Sequence, residues 1–210
     1  AYAGGLVGYG DSYSTVTITD SYNTGDVSAT VNSNSNYQFY ANAGGLVGYG
    51  NSYSMVTITG SYNTGDVSAT GNFDYFNAYA GGLVGYGDFS HSTITIMQSY
   101  NTGDVSATGN SDYFNAYAGG LVVYGGTVTI TDSYNTGDVG ANSSAGGLVG
   151  YGDTVTITDS YYTLPENSCN IYGEKKSSVA EILAIIKDKW DSTVWDFDNL
   201  DENGNPTLKI

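Results

Sequence analysis

The stretch Ala118–Ser144, AGGLVVYGGTVTITDSYNTGDVGANSS, decides the fold. It contains three apolar segments, GLVVY, TVTIT and DVGA, separated by residues typical of turns. Its first part recurs five times, as AGGLVGYG or AGGLVVYG, at Ala3–Gly10, Ala43–Gly50, Ala80–Gly87, Ala118–Gly125 and Ala145–Gly152. The leucines of these copies are 40, 37, 38 and 27 residues apart. A period in this range predicts a solenoid.

Each copy predicts three strands whose apolar residues stack on those of the next copy. In TVTIT, Val16 and Ile18 share the inward face. In the third strand Val27 faces inward, while in GLVGY we expect Leu6 inward and the stripe Val7/Tyr9 outward. The fold class expected is all-β, a right-handed parallel β-helix (β-solenoid) of about five three-stranded coils over residues 1–164.

Residues 165–210 depart from the repeat and predict a small α+β C-terminal cap with one helix. Pro165 cannot continue a strand ladder. Ser178 and Glu181 have the spacing of a capping box. Val179, Ile182, Leu183, Ile186 and Trp190 fall on one helical face. Because a solenoid end exposes its core and unpaired strand edges, we expect this segment to close that end.

Composition excludes several partners. The net charge is −16, there is no arginine, and the five lysines all follow residue 164. We therefore expect no binding to nucleic acid and none to an anionic membrane. No apolar run is long enough for membrane insertion. Because Ala1 begins within a repeat, we also expect further coils upstream.

The combination GGLVGY and SYNTGDVSA resembles the GLUG-motif repeats of bacterial and archaeal surface proteins. These repeats occur in adhesin-like proteins and in non-catalytic parts of some IgA-specific metalloproteases. The resemblance covers about residues 1–164, and the tail resembles segments that close such arrays. It implies an extracellular, cell-surface β-solenoid and carries over no catalytic residue. The threonine-rich TVTIT strands and the tyrosine-rich insertions depart from the usual pattern.

The residues that catalysis would require are scarce. His91 is the only histidine and Cys169 the only cysteine, and neither belongs to a repeated motif. A single cysteine excludes an internal disulfide. We predict a non-enzymatic protein without a cofactor or a metal site. One open question is the column Asp26, Asp66, Asp104 and Asp138, whose carboxylates either point into solvent or are screened by a cation such as calcium.

The outward threonines of the TVTIT strands are the first candidate surface. They predict a regular T-x-T array, similar to the ice-binding faces of insect antifreeze solenoids, with rows about 4.8 Å apart. Threonine is, however, also a favoured outward residue of any sheet. The array consists of Thr15, Thr17, Thr19, Thr57, Thr59, Thr93, Thr95, Thr127, Thr129, Thr131, Thr154, Thr156 and Thr158.

Aromatic residues in the insertions between coils are the second candidate surface. The insertions either cover the outward stripe or bind a glycan or another partner. The candidate residues are Tyr37, Phe39, Tyr40, Tyr75, Phe76, Tyr113 and Phe114.

The function expected is a structural or adhesive element of a microbial cell surface, sheath or filament. Its partners would be neighbouring solenoids or a surface (cell, glycan or ice). Ice binding through the threonines and glycan binding through the aromatic insertions are the alternatives.

Overall fold

The computed structural model describes residues 1–32, 39–71, 76–88, 91–109, 115–163 and 172–209. They form a parallel β-solenoid of five coils followed by a C-terminal tail, which confirms the predicted fold class. The first coil contains β1 (Tyr2–Gly4), β2 (Thr15–Thr19), β3 (Tyr22–Asn23) and β4 (Val27–Val31). The second contains β5 (Phe39–Gly44), β6 (Val47–Gly50), β7 (Met55–Thr59), β8 (Tyr62–Asn63) and β9 (Val67–Gly71).

The third coil contains β10 (Phe76–Gly81), β11 (Val84–Gly87), β12 (Thr93–Met97), β13 (Tyr100–Asn101) and β14 (Val105–Gly109). The fourth contains β15 (Asn115–Gly119), β16 (Val122–Thr131), β17 (Tyr134–Asn135) and β18 (Val139–Ala141). The fifth contains β19 (Ser144–Gly146), β20 (Val149–Thr158) and β21 (Tyr161–Thr163). The tail contains β22 (Glu174–Lys176), α1 (Val179–Ile186), β23 (Trp195–Asp196) and β24 (Thr207–Leu208).

Every solenoid strand pairs in parallel with its own copy in the neighbouring coil. Thr95, for example, lies opposite Thr57 on one side and Thr129 on the other. Four sheets result, here called the AYAG sheet (β1, β5, β10, β15, β19), the threonine sheet (β2, β7, β12, β16, β20, joined by β6 and β11), the Tyr-Asn sheet (β3, β8, β13, β17, β21, β22) and the VSA sheet (β4, β9, β14, β18). The first four coils thus have more strands than the three predicted, because the AYAG and Tyr-Asn segments also form ladders.

The core contains the predicted Val/Ile pairs, the first valine of the VSA strands and the leucines of the second to fifth coils. Leu6 of the first coil, expected inward, is 47% exposed, because no described coil covers that end of the stack. The expected outward position of the valines that follow the leucines was wrong. Val47, Val84, Val122 and Val149 are fully buried in the same core as the leucines. The backbone explains this, since the N–H groups of Leu46 and Val47 both donate to the carbonyl oxygen of Leu83, at 3.0 and 2.9 Å. Strand alternation is interrupted there, as in a β-bulge, and the two neighbouring side chains point the same way.

Two tyrosines close one end of the core, Tyr162 of β21 and Tyr172 of the tail. Tyr162 occupies the place of the asparagine found in the earlier coils, and a Cβ on Gly147 would lie 2.2 Å from its ring. Tyr172 packs against the core beside it. Through β22, which pairs in parallel with β21, the tail also extends the Tyr-Asn sheet by one strand.

The rest of the tail lies along the side of the solenoid, which the cap prediction did not anticipate. Helix α1 begins after Ser178, whose side chain accepts a hydrogen bond from the N–H of Glu181, as the capping box predicts. Ile182, Ile186 and Trp190 then pack, together with Trp195, against tyrosines of the Tyr-Asn sheet. The tail therefore contacts several coils as well as the last one.

Candidate binding surfaces

The threonine face lies on the outside of the threonine sheet. Its three columns run across β2, β7, β12, β16 and β20 in unbroken register. In the middle column Thr17 and Thr156 are exposed, and Thr57, Thr95 and Thr129 are half-buried. Met55 and Met97, which interrupt the outer columns, are 50% and 37% exposed. The structure thus brings all thirteen candidate threonines together on one accessible face.

The predicted aromatic patch is only partly at the surface. Phe76 is buried in the core and Phe39 packs against the core, so these two residues are corrected from binding candidates to core residues. Alternation explains this, because Phe39 and Phe76 start β5 and β10 at inward positions and the next residue faces outward. Tyr40 is exposed. Tyr37, Tyr75, Tyr113 and Phe114 lie outside the described residues.

A groove lined mainly by tyrosines runs beside the AYAG sheet, with a volume of about 720 Å³. One wall is the column Tyr49, Tyr86, Tyr124 and Tyr151 of the GYG segments, whose neighbouring ring centroids are 5.4, 5.1 and 5.1 Å apart with nearly parallel planes. The opposite wall is formed by outward residues of the AYAG sheet. We call this feature the tyrosine groove; its lining is Tyr2, Tyr40, Tyr49, Asn77, Tyr79, Tyr86, Asp88, Asn115, Tyr117, Tyr124 and Tyr151.

The AYAG wall repeats from coil to coil. Asn77 pairs in register with Asn115, and Tyr79 with Tyr117. The rings of Tyr79 and Tyr117 are stacked at 5.6 Å, and Tyr79 also contacts Tyr86 of the other wall at 4.6 Å. The third and fourth coils therefore place one asparagine and two tyrosines at equivalent positions, and the fourth coil has the more exposed asparagine and AYAG-wall tyrosine.

Burial keeps the groove phenols protonated. It raises the pKa of Tyr49 to about 12, with a further contribution from the nearby Asp88 carboxylate. Burial also raises the pKa of Tyr79, Tyr86 and Tyr124 well above the ordinary tyrosine range. Protonated hydroxyls can donate hydrogen bonds, and the more exposed phenols of Tyr40, Tyr117 and Tyr151 also line the groove.

Sequence reasoning missed Tyr79 and Tyr117, which are not among its candidate aromatic residues. A signal was present in the recurring NAYAGG at residues 77–82 and 115–120, in which alanines alternate with the asparagine and the tyrosine. Ala78, Ala80, Ala116 and Ala118 are fully buried, while the asparagines and tyrosines between them line the groove. This is the period of two typical of a strand.

The aspartate column makes hydrogen bonds to backbone amides. Asp26 accepts one from the N–H of Asp66 at 3.1 Å, and Asp66 and Asp104 accept equivalent bonds from the next coil at 2.9 Å. The carboxylates of Asp26, Asp66 and Asp104 thus each satisfy a donor at the corner of the neighbouring coil. Within the described residues, no group of three or more His, Cys, Asp or Glu side chains is placed to hold a metal ion.

His91 lies apart from these surfaces. His91 is exposed and stacks on the ring of Tyr53 at 4.3 Å, as expected for a surface position. Cys169 lies outside the described residues. No helix in the described part of the chain is both long and apolar enough to cross a membrane.

Comparison with known proteins shows that the chain resembles a solved structure. The chain matches a crystal structure from Bacteroides ovatus, described as a "putative immunoglobulin A1 protease", with a TM-score of 0.67 and 21% identity. The match covers 99% of this chain and 63% of the other, so the chain spans less than two thirds of that protein's length. At this identity the similarity supports the fold alone. No protein family model matches the sequence, and no curated protein matches it.

Proposed function

We propose that the chain is a non-catalytic structural and adhesive β-solenoid of a microbial cell surface, sheath or filament. The observation that supports this most is the repetition of the same exposed side chains at the same place on successive coils. Such a stack offers an extended patterned exterior for contact with a surface or with other solenoids. The resemblance to GLUG-motif surface repeats supports an extracellular location.

A surface role predicts that the protein is retained on cells that display it or assembles into ordered particles. Sedimentation velocity, electron microscopy and wash-resistant retention on the producing cells measure this. Thr95→Lys and Tyr117→Lys place a charge on the threonine face and in the tyrosine groove respectively, so comparing them identifies the contacting surface. Ser106→Lys, on the exposed side of the VSA sheet, is the matched control. A dispersed monomer that no surface retains would contradict the proposal.

Ice binding is a second candidate, supported by the threonine face. Thirteen of its fifteen positions are threonine, and their strands are hydrogen-bonded in register. β-Branched side chains on a paired strand have few accessible rotamers, so hydroxyl and methyl groups are held in a fixed pattern.

Ice binding predicts thermal hysteresis and faceted ice crystals that Thr57→Tyr or Thr129→Tyr abolishes. Thr108→Tyr, on the exposed face of the VSA sheet, leaves both unchanged. Ordinary ice growth in the presence of the wild-type protein rejects this candidate.

A further inference from the structure

We infer that the tyrosine groove binds an uncharged glycan chain that lies along the solenoid, with successive sugars contacting successive coils. This inference rests on the proposed adhesive role and names the chemistry that the adhesive surface recognises. The groove was not evident from the aromatic residues of the insertions. It is formed by two sets of tyrosines from different strands of the coil.

The size and chemistry of the groove suit a carbohydrate. A volume of about 720 Å³ falls within the range of about 300–1,000 Å³ typical of ligand sites. Its accessible lining combines the exposed or half-buried rings of Tyr2, Tyr40, Tyr49, Tyr117 and Tyr151 with the exposed amide of Asn115, whereas Tyr79, Tyr86 and Tyr124 are buried at its base. Sugars have C–H faces that pack on aromatic rings and hydroxyls that exchange hydrogen bonds with phenols and amides.

The repetition of the groove favours a polymer over a compact small molecule. Asn77, Tyr79 and Tyr86 in the third coil are matched by Asn115, Tyr117 and Tyr124 in the fourth. The two sets are one strand spacing apart, about 4.8 Å. An extended chain of β-linked sugars advances by a similar distance per unit, so successive sugars can follow the groove from coil to coil, with Asn115 and Tyr117 as the accessible contacts of the fourth coil.

The charge of the groove and of the whole chain limits which polymers can bind. Among the described residues, the groove lining contains no basic side chain, and the whole chain carries a net charge of −16, so an acidic polysaccharide would be repelled. Asp88 is the one carboxylate in this described lining, and its Oδ2 already accepts a hydrogen bond from the Ser52 hydroxyl. A polycationic peptide would therefore find little opposing charge in the groove. An uncharged polymer rich in hydroxyl groups is the ligand that fits.

The test measures binding of defined hexasaccharides to the full chain by isothermal titration calorimetry. The neutral probes are cellohexaose, xylohexaose and chitohexaose; hexagalacturonate and a hexalysine peptide are the charged probes. We expect at least one neutral probe to bind and neither charged probe to do so. No binding by any neutral probe, or equal or tighter binding of a charged one, would overturn the inference.

Conservative variants locate the site. Asn115→Ala removes an exposed amide, and Tyr117→Phe removes a half-buried hydroxyl while keeping the stacked ring, so both retain the fold. Each is expected to weaken binding about three- to tenfold, as the loss of one hydrogen bond does. Tyr53→Ala, in the separate stack with Tyr13 and His91, is the matched control and leaves affinity unchanged. Equal affinity of wild type, Asn115→Ala and Tyr117→Phe would place the ligand elsewhere and overturn the inference.

Measuring retention on cells distinguishes a failure of this inference from a failure of the adhesive proposal. If no neutral probe binds but the protein is still retained on cells, the groove assignment fails alone. If neither is observed, both fail.

Discussion

The asparagine of each Tyr-Asn strand holds neighbouring coils together from inside. Asn101 is fully buried; its Nδ2 donates to the carbonyl oxygen of Gly103 at 2.7 Å and to Oδ1 of Asn135 at 2.8 Å. Its own Oδ1 accepts from Nδ2 of Asn63 at 2.8 Å. The glycine pair makes room for this ladder, since a Cβ on Gly82 would lie 2.6 Å from Cγ of Asn101. The Gly-Gly motif is therefore required by the Asn motif, because the asparagine side chain packs where a Cβ on the glycine would lie.

Asn101→Ala is predicted to lower the free energy of unfolding by about 2–5 kcal/mol, because it leaves several buried polar groups without partners. Chemical denaturation followed by circular dichroism measures this. Asn23→Ala is the control, since Asn23 lies at the half-buried end of the ladder, and its cost is expected to be at least about 1 kcal/mol smaller. Equal costs for the two variants would contradict a cooperative internal ladder.

The groove tyrosines link stability to alkaline pH. A tyrosine whose pKa is raised in the folded state contributes stability that is complete below its unfolded pKa, near 10. For Tyr49 this contribution is lost as the pH rises from about 10 towards the folded value of about 12. We expect the free energy of unfolding to fall across this interval, measured by denaturation at a series of pH values.

The cause of the shift can be tested on Tyr49 itself. Burial contributes most to its raised pKa and Asp88 contributes next, so Asp88→Asn is predicted to lower the pKa without returning it to 10. Titration of the ring resonance of Tyr49 by NMR measures this, with Asp198→Asn in the tail as the control. An unchanged pKa in Asp88→Asn would contradict the position of Asp88 beside the groove.

At the scale of elements, the tail acts as a brace along the solenoid. The hydroxyl of the fully buried Tyr134 donates to the carbonyl oxygen of Pro206 at 2.7 Å. Nε1 of Trp190 donates to the carbonyl oxygen of Asp159 at 3.1 Å, and Lys189 pairs with the Asp159 carboxylate at 2.9 Å. These bonds join the tail to the fourth and fifth coils.

Tyr134→Phe is predicted to destabilise the protein by about 1–3 kcal/mol, because the Pro206 carbonyl loses its partner in a buried place. Tyr22→Phe changes the equivalent but exposed tyrosine of the first coil and is expected to have little effect. Thermal unfolding of the two variants measures the difference. Similar stability of the two variants would mean that the tail does not dock on the Tyr-Asn sheet.

The strands were predictable from sequence because their side-chain period is short and repeated. TVTIT places Val and Ile inside and threonine outside as alternation requires, and the structure agrees at all five copies. The Leu-Val pair was not predictable in this way, since the shared acceptor on Leu83 breaks the alternation. The lateral docking of Trp195 against Tyr100 and Tyr134 was also hidden, because sequence patterns do not report which distant surface an apolar segment covers.

At the scale of the whole molecule, one stack carries two different patterned exteriors. The threonine face and the tyrosine groove arise from separate segments of the same coil, and both repeat because every coil is in register with the next. The sequence revealed the first surface directly. It revealed the second only in part, because the groove joins residues such as Tyr79 and Tyr86 from two strands whose relative placement depends on the corner between them.

The parallel in-register stack is the claim on which both surfaces depend, and NMR of the labelled protein tests it most directly. Nuclear Overhauser contacts are predicted between residues at the same position of neighbouring coils, joining Thr95 to both Thr57 and Thr129. Contacts that instead join β11 to β12 of the same coil as an antiparallel hairpin, with none between copies, would contradict it.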